Sequence, residues 1–171
     1  EITYGDWSSD VCSSDLEPLP EAEFTKLHAA RTFMGGAATL RQAHFALVDL
    51  KLHSQWHPGC GHTPEQLRRQ IAASTTVLAP IDEDAFLCSF GHIFAGGYAA
   101  GYYSYKWAEV LDAGAFSRFR NEGVFNEATG RAFRENILSK GDSDDPAALF
   151  RAFMGRDPDA QALLKRSGLA A

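Results

Sequence analysis

From Pro20 onward the apolar residues recur at three- and four-residue intervals and rarely alternate, which predicts helices and no convincing strand. Residues 40–52, Leu-Arg-Gln-Ala-His-Phe-Ala-Leu-Val-Asp-Leu-Lys-Leu, are the clearest case. Leu40, His44, Leu47 and Lys51 share one side of a helix there, and Phe45, Val48 and Leu52 form a neighbouring stripe. That pattern predicts a helix covered on more than one face. Thr63-Pro64-Glu65-Gln66 predicts a helix start, with Thr63 as cap, Pro64 at the first position and Gln66 closing a capping box. This helix should run to about Val77, ahead of Pro80. Further helices are predicted over 98–112, closing near Gly114, and over 126–139, stopped by Gly141. Asp145-Pro146 and Asp157-Pro158 each give a cap-then-proline signal, opening short helices that end near Gly155 and Gly168. Six or seven helices, with room for one short extended segment near 86–94, make the fold class all-α.

Residues 1–16 break the pattern. They repeat Ser-Ser-Asp, show no apolar periodicity and contain no basic residue. They read as extraneous sequence of the kind translated adapter read-through produces, or else as a polar tail, and are set apart from the fold. Residues 17–171 are the part expected to fold, with no linker dividing them. The separation changes the charge argument. The 171-residue chain carries 22 acidic and 16 basic residues, net −6; without Glu1, Asp6, Asp10 and Asp15 the balance is 18 against 16. Near neutrality argues against a nucleic-acid partner held by a large positive field. Cys12, Cys60 and Cys88 show no repeated spacing, which implies no disulfide framework and points to a reducing cytoplasm. Residues 85–105 lack Asp, Glu, Lys and Arg over a bilayer-spanning length. Four glycines, four tyrosines, two serines and a histidine within them argue against a membrane helix.

Two constellations could carry chemistry. His53, His57, Cys60 and His62 offer four nitrogen or sulfur ligands in ten residues. Pro58, Gly59 and Gly61 mark a helix stop there, however, and histidines near a helix C-terminus also complement its dipole, so the helix-end reading is preferred to a metal site. None of the six histidines begins His-Glu-x-x-His, and no Gly-x-Ser-x-Gly elbow or phosphate-binding loop occurs. The second constellation is residues 90–110. If the chain is helical after Gly97, Tyr98, Tyr102 and Tyr105 share one face. A core rarely needs three phenols in a row, since each hydroxyl must find a partner. Gly96-Gly97 frees the backbone, Gly101 removes bulk, and His92 stands just ahead. Phenols on an open groove suit the donation of hydrogen bonds to a peptide carbonyl as it becomes tetrahedral. A tyrosine stripe and a lone histidine can equally be packing residues.

The run Gly91-His92-Ile-Phe-Ala-Gly96-Gly97-Tyr98-Ala-Ala-Gly-Tyr102-Tyr103-Ser-Tyr105-Lys-Trp107 resembles the C-terminal region of the thimet oligopeptidase family of zinc metallopeptidases, especially its oligopeptidase A and dipeptidyl carboxypeptidase branches. Leu40-Arg41-Gln42 with Leu47-Val48-Asp49-Leu50-Lys51-Leu52-His53 resembles the family's long helix beyond the metal site. Gly130-Arg131-Ala132-Phe133-Arg134, Lys140-Gly141-Asp142-Ser143-Asp144-Asp145-Pro146, Phe153-Met154-Gly155-Arg156-Asp157-Pro158 and the ending Gly168-Leu169 resemble its closing segment.

The resemblance implies hydrolysis of short peptides, as a metalloendopeptidase or dipeptidyl carboxypeptidase, by a zinc-bound water. The metal ligands and general base belong to a part upstream of anything present here. It implies that Tyr105 stabilises the oxyanion with Tyr98 nearby, that His92 and Tyr102 contact substrate, and that Gly96-Gly97 belongs to a mobile substrate-closing loop. The chain would then be a C-terminal fragment of a cytoplasmic enzyme. It would bind no zinc, be inactive alone, and require the missing N-terminal part of the same polypeptide. The competing expectation is a non-catalytic helical module that binds peptides in a tyrosine-lined groove.

Overall fold

The structure is a computed structural model and describes residues 19–170. The 1–16 segment lies outside the described residues. The chain divides into two compact units, residues 1–33 and 34–171. Of the first, the described part is α1 (Glu21–Ala30), a helix with acidic residues Glu21 and Glu23 in its first turn and no buried residue.

Among the described residues the regular elements of the second unit are all helical: α2 (Gly35–Ser54), α3 (Pro64–Thr75), α4 (Phe86–Ser89), a 3-10 turn (Gly91–Ile93), α5 (Ser104–Glu122), α6 (Glu127–Phe133), α7 (Pro146–Met154) and α8 (Gln161–Arg166). The π-helical residues Arg134–Leu138 continue α6. The all-α expectation holds.

α2 and α3 pack side by side through Val48, Leu52, Leu67 and Ile71, and Phe90 and Ile93 complete this core. The capping box at α3 forms as the sequence predicts. The Gln66 amide donates to Thr63 Oγ1 at 3.1 Å, and the Thr63 amide donates to Gln66 Oε1 at 2.7 Å. On α2 the buried positions are His44, Val48, Asp49 and Leu52, while Leu40 and Leu47 stay exposed.

Segment 86–94 is not extended, contrary to the allowance made for it. Helical turns bring Phe86, Phe90 and Ile93 to the α2–α3 core together, whereas an extended chain would put successive residues on opposite faces. The Asp84 carboxylate starts the first turn by accepting the Phe86 amide at 3.0 Å.

A second core joins α5 to α6, α7 and α8. Phe119, Phe133 and Phe153 meet at centroid distances of 5.2–6.1 Å, and Leu149 and Phe150 are buried on the same helix as Phe153. Gly114 does not close α5, as predicted, but lies inside it. A Cβ at that position would come within 3.2 Å of the Phe150 ring, so this glycine serves close packing. Asp145 caps α7 through the Ala148 amide at 2.8 Å, and Gly155 ends it in the left-handed region at φ 70°. The matching signal at Asp157-Pro158 fails because Asp157 is taken by Arg151, at 2.6 Å. Asp159 instead accepts the Gln161 amide at 2.9 Å, and α8 starts later.

Candidate functional site

The tyrosine segment departs most from its predicted form, and that departure builds the site. Helix α5 begins at Ser104, so Tyr98 and Tyr102 precede it and 98–103 is a series of turns. Two residues in the left-handed region interrupt any helix there: Gly97 at φ 79° and Ala100 at φ 55°. The glycine adopts this freely, whereas for alanine it costs about 1–2 kcal/mol. The three phenols nevertheless converge. The rings of Tyr98 and Tyr105 stack with centroids 5.0 Å apart, and Tyr102 meets Tyr105 edge-on at 5.2 Å. Loop closure achieves what helical periodicity was expected to do.

The element that closes the loop is Asp49, fully buried on α2. Its Oδ1 accepts the Ala100 amide and its Oδ2 the Tyr102 amide, both at 2.9 Å. His53 Nδ1 is also 2.9 Å from Oδ1. A buried carboxylate requires such donors, and together they satisfy both oxygens. Sequence reasoning passed over Asp49; the available signal was a charged residue between the core positions Val48 and Leu52.

The phenols differ in what their hydroxyls can offer. Tyr102 is half-buried against Phe45 and Phe90, and its hydroxyl donates to Gln42 Oε1 at 3.1 Å. Burial raises its pKa, with Arg41 opposing. Tyr105 is 40% exposed. Hydrogen bonding with the Tyr98 hydroxyl, followed by desolvation and the nearby Tyr98 and Tyr102 phenols, raises its pKa above the usual phenol value. At neutral pH the Tyr105 hydroxyl is therefore a protonated donor at an open surface. His92 is exposed, with its ring 6.1 Å from Tyr98 and 6.2 Å from Tyr102. The geometry thus brings His92, Tyr98, Tyr102 and Tyr105 together.

Gly96 and Gly97 form the exposed rim of the cluster, each for its own reason. A Cβ at Gly96 would fall 2.8 Å from the His92 backbone, while Gly97 needs its positive φ. The Tyr98 amide donates to the His92 carbonyl at 3.2 Å and closes this rim.

The histidines and cysteine near the α2 end serve local structure. His53 Nδ1 approaches the Asp49 carbonyl as well as its carboxylate, His57 Nδ1 lies 3.1 Å from the Pro58 carbonyl, and Cys60 Sγ lies 3.8 Å from His62 Nδ1. Among the described residues no three His, Cys, Asp or Glu side chains converge as a metal would require. No described helix is long and apolar enough to cross a membrane.

On the side of Phe45 that faces Phe86, a pocket of about 530 Å³ is bounded in part by Arg41, His44, Phe45, Arg68, Thr75 and Phe86. Arg68 is buried and pairs with Glu65 and with Asp84, the latter at 3.1 Å. His44 Nδ1 is 2.8 Å from Thr75 Oγ1, whose own proton goes to the Ile71 carbonyl at 2.8 Å. That assigns the His44 proton to Nδ1. Burial, with Arg68 and Arg41 adding, lowers the His44 pKa.

A family model, Peptidase family M3, matches residues 8–169. The chain is 50% identical over 159 residues to a probable cytosolic oligopeptidase A of Arabidopsis thaliana, covering 91% of the chain and 23% of that protein. It is 44% identical over 153 residues to oligopeptidase A of Escherichia coli strain K12, covering 90% of the chain and 22% of the relative. To the dipeptidyl carboxypeptidase of the same bacterium it is 32% identical over 158 residues, or 88% and 22%. The chain therefore spans less than a quarter of the length of these curated relatives.

Proposed function

The chain belongs to peptidase family M3, and on that premise we propose that residues 17–171 form the C-terminal helical part of the catalytic domain of an oligopeptidase A-like zinc metallopeptidase. Its substrates are short peptides, and the remainder of the site comes from upstream polypeptide. The higher identity to the oligopeptidase A relatives than to dipeptidyl carboxypeptidase supports that branch. Unpaired Cys60 and Cys88 fit a cytoplasmic setting.

The described residues do not fit a zinc site, since no three suitable ligands converge. What this chain contributes is hydrogen bonding and positioning, so by itself it is expected to be inactive. Tyr105, supported by Tyr98, donates to the substrate carbonyl oxygen as negative charge gathers on it. Tyr102 already donates its hydroxyl hydrogen bond to Gln42, and so offers its oxygen as an acceptor to a peptide N–H. His92 flanks the phenols and orients the substrate backbone, and the Gly96-Gly97 rim closes over it.

The observation that carries this reading is the stacking of the Tyr98 ring on Tyr105, a tyrosine left 40% exposed. The test is Tyr105→Phe in the full-length protein carrying this segment, assayed on an internally quenched short peptide. The expected result is a fall in kcat of ~10²–10³ with KM little changed. Unaltered turnover removes Tyr105 from the chemistry.

A further inference from the structure

We infer that Asp49 is the positioning residue of the phenol pair, holding Tyr98 and Tyr105 in register through the backbone between them; this rests on the oxyanion reading of Tyr105. The two amides that Asp49 binds, those of Ala100 and Tyr102, lie between the two stacked tyrosines in sequence. On the far side of Ala100, the Gly101 amide donates to the Tyr98 carbonyl at 2.8 Å, tying Tyr98 to the same turn. On the near side, the Tyr105 amide donates to the Tyr102 carbonyl at 3.3 Å, so fixing Tyr102 sets the first turn leading into α5. Asp49 itself lies on a long helix in the α2–α3 core and is fully buried, giving it little freedom to follow the loop. His53, one turn along α2, places Nδ1 2.9 Å from Oδ1, the oxygen that also accepts the Ala100 amide.

Both carboxylate oxygens are needed as acceptors. An asparagine has one acceptor oxygen and one donating NH2, so it leaves one of the two amides facing a donor. The loop then loses one tether while the isosteric side chain still fills its place. The Ala100 conformation, unfavourable for any residue but glycine, has that much less to hold it. Displacement of the Tyr105 hydroxyl by a fraction of an ångström to about 1 Å is enough to cost catalysis ~10–10²-fold.

The experiment is a double-mutant cycle of Asp49→Asn and Tyr105→Phe in the full-length protein, combined with amide hydrogen exchange. Asp49→Asn should lower kcat ~10–10²-fold at similar KM, and should cost less than about threefold more once Tyr105 is already phenylalanine. Unchanged kcat in Asp49→Asn, or full additivity of the two substitutions, overturns the proposal by reducing Asp49 to a structural residue. In the wild-type protein the Ala100 and Tyr102 amides should exchange slowly despite lying in turns. Rapid exchange at both overturns the clamp whether or not the variants fold. If Tyr105→Phe is fully active while those amides remain protected, the oxyanion reading has failed and the proposed role in catalysis falls with it, leaving the clamp itself intact.

Discussion

Tyr98 and Tyr105 lie ring over ring, centroids 5.0 Å apart and planes inclined by 20°, although only Tyr105 belongs to a helix. Hydrogen bonding with the Tyr98 hydroxyl raises the Tyr105 pKa above that of an isolated surface phenol.

Tyr98→Phe should lower the Tyr105 pKa toward the ordinary phenol value, because hydrogen bonding with the Tyr98 hydroxyl is the largest cause of the increase. Site-resolved NMR titration of ring-labelled tyrosine checks this. The sign for stability follows from the raised folded-state value. The stabilising contribution is complete below the unfolded phenol pKa and is lost as pH rises through the folded one. An unmoved Tyr105 midpoint in Tyr98→Phe would mean that the two hydroxyls do not interact.

Gly96→Ala and Gly97→Ala should both disturb the rim, by different routes. At Gly97 the alanine fits sterically but must hold a left-handed φ, a penalty of about 1–2 kcal/mol. At Gly96 the new Cβ meets the His92 backbone, which cannot rotate away as a side chain could, so the 91–98 turn must open. Hydrogen exchange at the Tyr98 amide, bonded to the His92 carbonyl, should accelerate more in Gly96→Ala. Equal protection in both variants would contradict the close approach.

His44 should make the fold acid-sensitive. Its folded pKa lies below the usual histidine value, through burial first and then Arg68 and Arg41, with Asp84 and Glu65 opposing. The unfolded chain therefore takes up a proton more readily. Stability is complete above the unfolded histidine pKa and declines as pH falls toward the folded one. Urea midpoints between pH 7 and pH 5 should show this slope, and His44→Gln should flatten it. An identical slope in the variant would assign the acid sensitivity to other groups that titrate in that range; Glu65, whose pKa is lowered chiefly by its hydrogen bond with Arg68, loses its contribution only below the usual carboxylate pKa.

Local chemistry was legible in the sequence wherever a signal and its partner lie within a few residues. The Thr63–Gln66 box and the Asp145 cap both form, and α3 and α7 begin where they predict. The same logic misled at Asp157, because Arg151 reached its carboxylate first, and at Gly114, where the need was room for Phe150 rather than a helix stop. The tyrosine cluster was found through residue type and spacing, yet the helix invoked to assemble it is absent from 98–103. Its true organiser, Asp49, acts on amides 51 and 53 residues further along, a relationship that no local pattern encodes.

That separation has a consequence for how the surface comes into being. The α3 cap and the turns of α5 can form from neighbouring residues alone, but the phenols reach their stacked arrangement only after α2 has docked and its carboxylate has captured a distant segment of chain. Contacts so remote in sequence cost loop entropy before they return any stability. The stacked phenols are thus a late product of folding, since they wait on the helix that carries Asp49.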